Sequence, residues 1–263
     1  MKKIVSALNL ILLVLLVSCN TSDDGSSTII DLPYFDSLNV QDNITLILIS
    51  GPNQVVELYG DGDLNTVDLF VDNGELIMSA VSSEASNVVV YVAHPDINNI
   101  LVQNNGIVQF DNYFTTTASE LYITGLDAAQ IFNEYEMNVN TLDVLLENAA
   151  KMALLNLQSE ELYVHLSDGS RCNIQGFATN QFIDLNNGCR FNLDFPIQGW
   201  DITSPIQSTN CTITTDNGGN GWVQATNTLT ATASNGSRVF YQGVPNVLNA
   251  VEINGGRVEQ MDF

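Results

Sequence analysis

Five basic residues carry the clearest chemical option in the chain. Lys151, Arg171, Arg190, Arg238 and Arg257 are separated by 20, 19, 48 and 19 residues, and the two remaining cations are Lys2 and Lys3. Asn210 stands 20 residues after Arg190 in a matching context, leaving 28 that can hold one more step plus an insertion. If these are turns of a coil, Arg171 and Arg190 on adjacent turns make a basic stripe for the carboxylates or sulfates of a glycan, since guanidinium suits bidentate contacts. The alternative is structural: each cation neutralises nearby acids and covers a corner with its aliphatic stem. With 30 Asp and Glu in the chain, the structural alternative is favoured, and the column serves first as a ruler of the repeat.

Catalytic options are poor. The only histidines are His94 and His165, and no Gly-x-Ser-x-Gly elbow accompanies them, so a Ser-His-Asp triad has no foundation. Both are expected at the surface. Asp clusters on β-helices can cleave acidic polysaccharides, but the column of Asp184 holds His165, Leu145 and Thr232, so no acidic row persists. Grouping of Asp184, His165 and Arg171 or Arg190 in one groove would favour an enzyme. No calcium loop occurs; Asp61-Gly62-Asp63 is a fragment. No metal site or cofactor is expected. Trp222 lies in a Gly- and Asn-rich stretch, Thr214 to Asn227, expected to interrupt the repeat. It is a candidate for stacking on a sugar, or a ring folded onto the coil.

The elements that position these residues repeat with the charge. Asp168-Gly169-Ser170-Arg171, Asn187-Gly188-Cys189-Arg190, Asn235-Gly236-Ser237-Arg238 and Asn254-Gly255-Gly256-Arg257 are corners followed by strands, with a weaker Asn148-Ala149-Ala150-Lys151. Asn or Asp before Gly readily adopts left-handed backbone angles. Alternating apolar residues follow, and a second alternating run precedes each corner, as in 142–146 and 162–166. Two strands and a turn per 20 residues make one rung of a solenoid, which buries its apolar faces by stacking on its neighbours. The fold is therefore read as all-β, a right-handed parallel β-helix-like solenoid with rungs of about 20 residues. An antiparallel sandwich or barrel competes, but it does not require identical corners at one period. Cys172 and Cys211 are expected in one inward column with Phe191 between them, too far apart for a disulfide.

The ends add location. Met1-Lys2-Lys3 and the apolar run Ile4 to Val17 read as a secretory signal too short to span a bilayer. It ends in Leu16-Val17-Ser18-Cys19, which resembles a lipoprotein lipobox with Cys19 as the acylated residue. Residues 20–28 read as a polar tether, and the solenoid occupies 29–263, with an N-terminal β half (29–110) and a repeat-rich half (111–263). Removal of residues 1–19 leaves five cations against 30 acids, a formal charge of −25. That excludes nucleic acid as a natural partner and leaves membrane attachment to the lipid.

In the N-terminal half, Phe35-Asp36-Ser37-Leu38-Asn39-Val40, Leu46 to Gly51, Gly60-Asp61, Val71-Asp72-Asn73-Gly74-Glu75-Leu76-Ile77, Tyr91-Val92, Pro95-Asp96-Ile97 and Asn105-Gly106 follow one another in a distinctive order. This resembles the head GIN domain family of auto-transporter adhesins, across nearly the whole mature chain. The resemblance implies a right-handed β-helix-like fold, an envelope or surface location and no established catalytic residues. The expected function is that of a lipid-anchored outer-membrane module, facing the surface or the periplasm. It binds a glycan or a surface protein without catalysis, with Trp222, Arg171 and Arg190 as candidate contacts. The alternative function is a polysaccharide lyase or hydrolase.

Overall fold

The computed structural model describes residues 26–80, 85–193 and 204–261. The expected signal, Cys19 and most of the tether lie outside them. Strand Ser26–Ile29 takes in the last three residues read as tether.

The Asn-Gly pairs set the bends of the chain. At each corner two successive residues have positive φ: 53° and 73° at Asp168 and Gly169, 54° and 73° at Asn187 and Gly188, 49° and 75° at Asn235 and Gly236. Asn148 and Ala149 adopt the same shape, at 54° and 63°, without a glycine. A β-carbon there costs about 1–2 kcal/mol, and contacts between corners offset it. Ala149 N donates to Asp168 O at 3.0 Å. Side chains add a ladder: Asn148 Nδ2 donates to Asp127 Oδ1 at 2.9 Å, Asn187 Nδ2 to Asp168 Oδ1 at 3.0 Å and Asn254 Nδ2 to Asn235 Oδ1 at 3.1 Å.

Each corner joins two parallel faces. Face A precedes it, with Leu121, Leu142, Leu162, Gln181, Cys211 and Leu229 in one inward row. Face B follows it, with Ile131, Met152, Cys172, Phe191, Gly221 and Val239 in another. A shorter face C, where Phe114, Met137, Leu157 and Gly176 align, closes the turn. The long strands Gln130–Leu146, Lys151–Leu166 and Arg171–Leu185 each run from face B across C to A. The large residues of the inward rows are essentially fully buried, each such side chain contributing roughly 1.5–3 kcal/mol. The chain is thus all-β, a parallel β-solenoid of about eight turns.

In the N-terminal half, stacking order departs from chain order. Leu38 pairs with Leu76 on one side and Ile100 on the other, so the turn 37–50 lies between the turns 75–94 and 99–110. The outermost turn is closed by antiparallel strands: Val55–Gly62 pairs with Ala85–His94, and Val67–Asp72 with Glu75–Ala80. Ser26–Ile29 then pairs with Val55–Gly62. An open edge would offer unpaired N–H and C=O groups, and this antiparallel cap covers the edge of the parallel stack.

Four expectations need correction. Asn210 pairs with Asn180 on face A and is not in the cation column. Residues 214–227 are no interruption: Asn217-Gly218 is a regular corner, with φ of 48° and 75°, and strand Asn220–Ser234 follows it. The regular turn is left instead at Asn192, and Arg190 pairs directly with Asn220. Cys172 and Cys211 fall on different faces, since Phe191 pairs with Cys172 and Gln181 with Cys211. Both thiols are buried and unpaired, and burial pushes their pKa values far up. His94 is not at the surface: it is 1% exposed, accepts the Asp96 N–H at Nδ1 and stacks on Phe35 with centroids 4.9 Å apart.

Candidate ligand-binding ridge

The first outward position of face B after each corner forms one straight column. Lys151 is in register with Arg171, Arg171 with Arg190, Arg190 with Asn220, Asn220 with Arg238 and Arg238 with Arg257. All five cations beyond Lys2 and Lys3 therefore stand on one line along the coil axis. At about 4.8 Å per rung the line is roughly 24 Å long. Two unit charges about 5 Å apart in water repel by roughly 1 kcal/mol, so a chain with this many acids would lower its energy by dispersing its cations.

Neutralisation by acids does not explain the exposed members of the column. Among the described residues the only ion pair within 4.0 Å is His165 with Asp184, and Lys151, Arg238 and Arg257 have no carboxylate that close. These three are exposed, whereas Arg171 and Arg190 are half-buried. Where the column is interrupted by Asn220, the surface dips into a recess of about 400 Å³ between Arg190 and Arg238, bordered by Phe240 and Gly236. The Asn220 side-chain amide donates to Gly218 O at 2.7 Å, which leaves its carbonyl oxygen as an acceptor beside the recess. Two guanidinium groups, an amide oxygen and an aromatic ring surround a space suited to one anionic sugar residue.

Of the three residues singled out from sequence, Arg171 and Arg190 belong to this ridge. Trp222 does not project from it: it sits in the strand after the corner, in register with Phe240, and is 8% exposed. It therefore offers no ring face for a sugar to stack on. Sequence reasoning missed Asn220 and Phe240, although Asn217-Gly218-Gly219-Asn220 repeats the pattern of Asn254-Gly255-Gly256-Arg257 closely enough to have found them.

The grouping that an enzyme would require is incomplete. His165 Nδ1 and Asp184 Oδ2 are 4.0 Å apart on the outside of face A, with side chains 52% and 61% exposed. Arg171 and Arg190 lie around the corner on face B, facing a different direction. Among the described residues no three His, Cys, Asp or Glu gather to hold a metal ion, and no helix is long and apolar enough to cross a membrane.

Solved structures share the fold. A "putative lipid binding protein" of Parabacteroides distasonis superposes with a TM-score of 0.80 at 10% identity, over 92% of this chain and 98% of its own. A "putative adhesin" of Parabacteroides merdae gives 0.76 at 14% identity over the same shares, and one of Bacteroides fragilis gives 0.60 at 14%. No curated protein matches the sequence. The family model described as "Putative auto-transporter adhesin, head GIN domain" matches residues 34–245, and the chain belongs to that family.

Proposed function

We propose that this protein is a non-catalytic, adhesin-like module of the cell envelope, anchored through a lipid on Cys19, which holds a linear anionic glycan along the ridge from Lys151 to Arg257. The observation that carries the reading is the register: every lysine and arginine beyond the first three positions occupies one column, and its three exposed members lack carboxylate partners among the described residues. A rigid solenoid presents charges at a fixed repeat, so an extended polymer bearing carboxylates or sulfates meets a preorganised row. Ordering costs are then borne mostly by the ligand. The exposed acids elsewhere repel the same polymer and keep it on the ridge.

The test is a glycan array probed with the soluble fragment from Ser26, including polygalacturonate, heparin and uncharged glucans, with assay for released reducing or unsaturated sugar ends. Binding confined to the acidic polymers, weakened by salt and by combined Lys151→Gln, Arg238→Gln and Arg257→Gln substitution, supports the reading. Preference for uncharged glucans would overturn it, and turnover lost on His165→Ala or Asp184→Asn would replace it with an enzyme. Cys19→Ser should abolish incorporation of labelled palmitate; unchanged incorporation would refute the anchor.

A further inference from the structure

A second surface, at the opposite end of the coil, has the reverse chemistry. On the outside of the turns 37–50 and 75–94, where they meet the antiparallel cap, a cleft of about 560 Å³ is walled by Ile49, Val55 and Tyr91, with Tyr59 beside them. The two tyrosine rings meet edge to face with centroids 5.1 Å apart. Two carboxylates stand in its lining, Glu57 and Asp111. The Tyr59 hydroxyl donates to Glu57 Oε2 at 2.5 Å, which fixes the carboxylate toward the rings and leaves Oε1 able to accept.

Tyr91 is 37% exposed and Val55 40%, while Ile29, the register partner of Glu57 on the outermost strand, is 74% exposed and extends the apolar surface. Lys151, the nearest member of the cation column, is four rungs from Val89 of this cleft, through Thr45, Ile107 and Gln130. At about 4.8 Å per rung that is roughly 19 Å, beyond a Debye length at physiological salt.

Apolar walls leave the hydroxyls of a sugar without partners, and the two carboxylates repel the anionic polymer suited to the ridge. They fit a long aliphatic stem that ends in a cation. A guanidinium or ammonium group near a tyrosine face is attracted by the ring quadrupole, and its methylene stem packs on the aliphatic wall. We infer that this cleft receives an arginine or lysine side chain, presented by an apolar segment of a partner protein. The charge complementarity of Glu57 and Asp111 decides for that occupant over a neutral glycan or an acyl chain. The site is independent of the ridge, so the protein holds an acidic glycan at one place and a basic protein segment at another.

The experiment is calorimetric titration of the purified chain with the peptide acetyl-Leu-Arg-Leu-amide and its uncharged counterpart acetyl-Leu-norleucine-Leu-amide. Saturable binding of the first is expected, about tenfold tighter than the second, weaker in high salt and reduced at least several-fold by Tyr91→Ala. Asp111→Asn, which removes a charge without touching the Tyr59–Glu57 hydrogen bond, should reduce it while leaving the melting temperature unchanged. Equal affinity for both peptides, no saturable binding, or an unaltered isotherm in Asp111→Asn and Tyr91→Ala overturns the inference. Because neither substitution lies on the ridge, binding of acidic polymers by the same variants should match the parent, which separates failure of this site from failure of the other.

Discussion

The side-chain carbonyl of Asn192 accepts the backbone N–H of Ile174 at 2.6 Å, and its amide donates to the carbonyl of Trp222 at 3.4 Å. Asn192 is the residue where the chain leaves the regular turn, with φ of 55°. In an uninterrupted parallel ladder, the Ile174 N–H would meet the backbone carbonyl at position 192. The left-handed angle turns that carbonyl away, and the side chain takes its place between the neighbouring turns. The coil thereby tolerates an insertion between Arg190 and Asn220 without losing the continuity of face B.

Asn192→Gly separates these roles, because glycine keeps the left-handed angle at no steric cost but supplies neither the acceptor nor the donor. The side chain is fully buried, and an orphaned buried N–H costs about 1–3 kcal/mol. The melting temperature should fall by several degrees, given roughly 2–4 °C per kcal/mol for a chain of this size. Asn192→Ala should lose about 1 kcal/mol more, through the strain of a β-carbon at positive φ. Thermal unfolding followed by circular dichroism decides, and a parent-like midpoint for the glycine variant would refute the role.

Along the ridge, the recess predicts unequal contributions. Arg238 borders the recess and Lys151 lies away from it, although both are exposed. Arg238→Gln should weaken binding of an acidic polymer about tenfold, the scale of one bidentate charge-assisted contact, and Lys151→Gln only a few-fold, the scale of an exposed charge. Equal losses measured by calorimetry would mean that the row acts by summed charge alone and that the recess contributes nothing.

Most of the architecture was legible because the corner and the strand alternation share one period, and each Asn-Gly or Asp-Gly pair is a local backbone requirement. The phase on the coil was harder to read. Asn210-Cys211-Thr212-Ile213 looks like Arg171-Cys172-Asn173-Ile174, since every face alternates inward and outward residues in the same way. Yet the first run lies on face A and the second on face B. The inverted stacking of the turns 37–50 and 75–94 left no local trace either, because alternation specifies which side of a strand is buried and says nothing of which strand lies beside it. The ridge was visible as spacing. The lack of carboxylate partners at its exposed members Lys151, Arg238 and Arg257 and the dip at Asn220 are consequences of packing.

His94 gives the fold a pH dependence. Burial is the dominant influence on the imidazole and lowers its pKa below the ordinary value of about 6.5, against the opposing attraction of Asp96 and Asp36. Unfolding restores the ordinary value, so as pH falls below about 6.5 the unfolded chain takes up a proton that the folded chain resists, and stability declines. This contribution is fully present above pH 6.5 and is lost progressively below it. His94→Gln retains an acceptor near the Asp96 N–H and cannot titrate. The urea midpoint of the parent should therefore fall between pH 7 and 5.5 more steeply than that of the variant, and parallel curves would show that His94 is not responsible.

At the far end of the coil, Glu252 occupies an inward position, in register with buried Ala233 on the preceding turn. Its Oε1 accepts the Val258 N–H at 2.8 Å, a donor on the outer edge of the last described turn. Strand Val247–Ile253 is exposed along its whole length, and no described residue pairs with its outer edge. Val247, Leu248, Val251 and Ile253 are each 43–48% exposed there. An inward-pointing charge at such an edge opposes the stacking of another strand, because pairing would bury the carboxylate. Glu252→Val removes that barrier and frees the Val258 donor at once. The variant should self-associate as concentration rises, detectable as an increasing average mass by light scattering, while the parent's mass stays constant over the same range. Glu252→Gln, which keeps an acceptor but loses the charge, should fall between the two. If all three proteins scatter alike, Glu252 does not guard this edge.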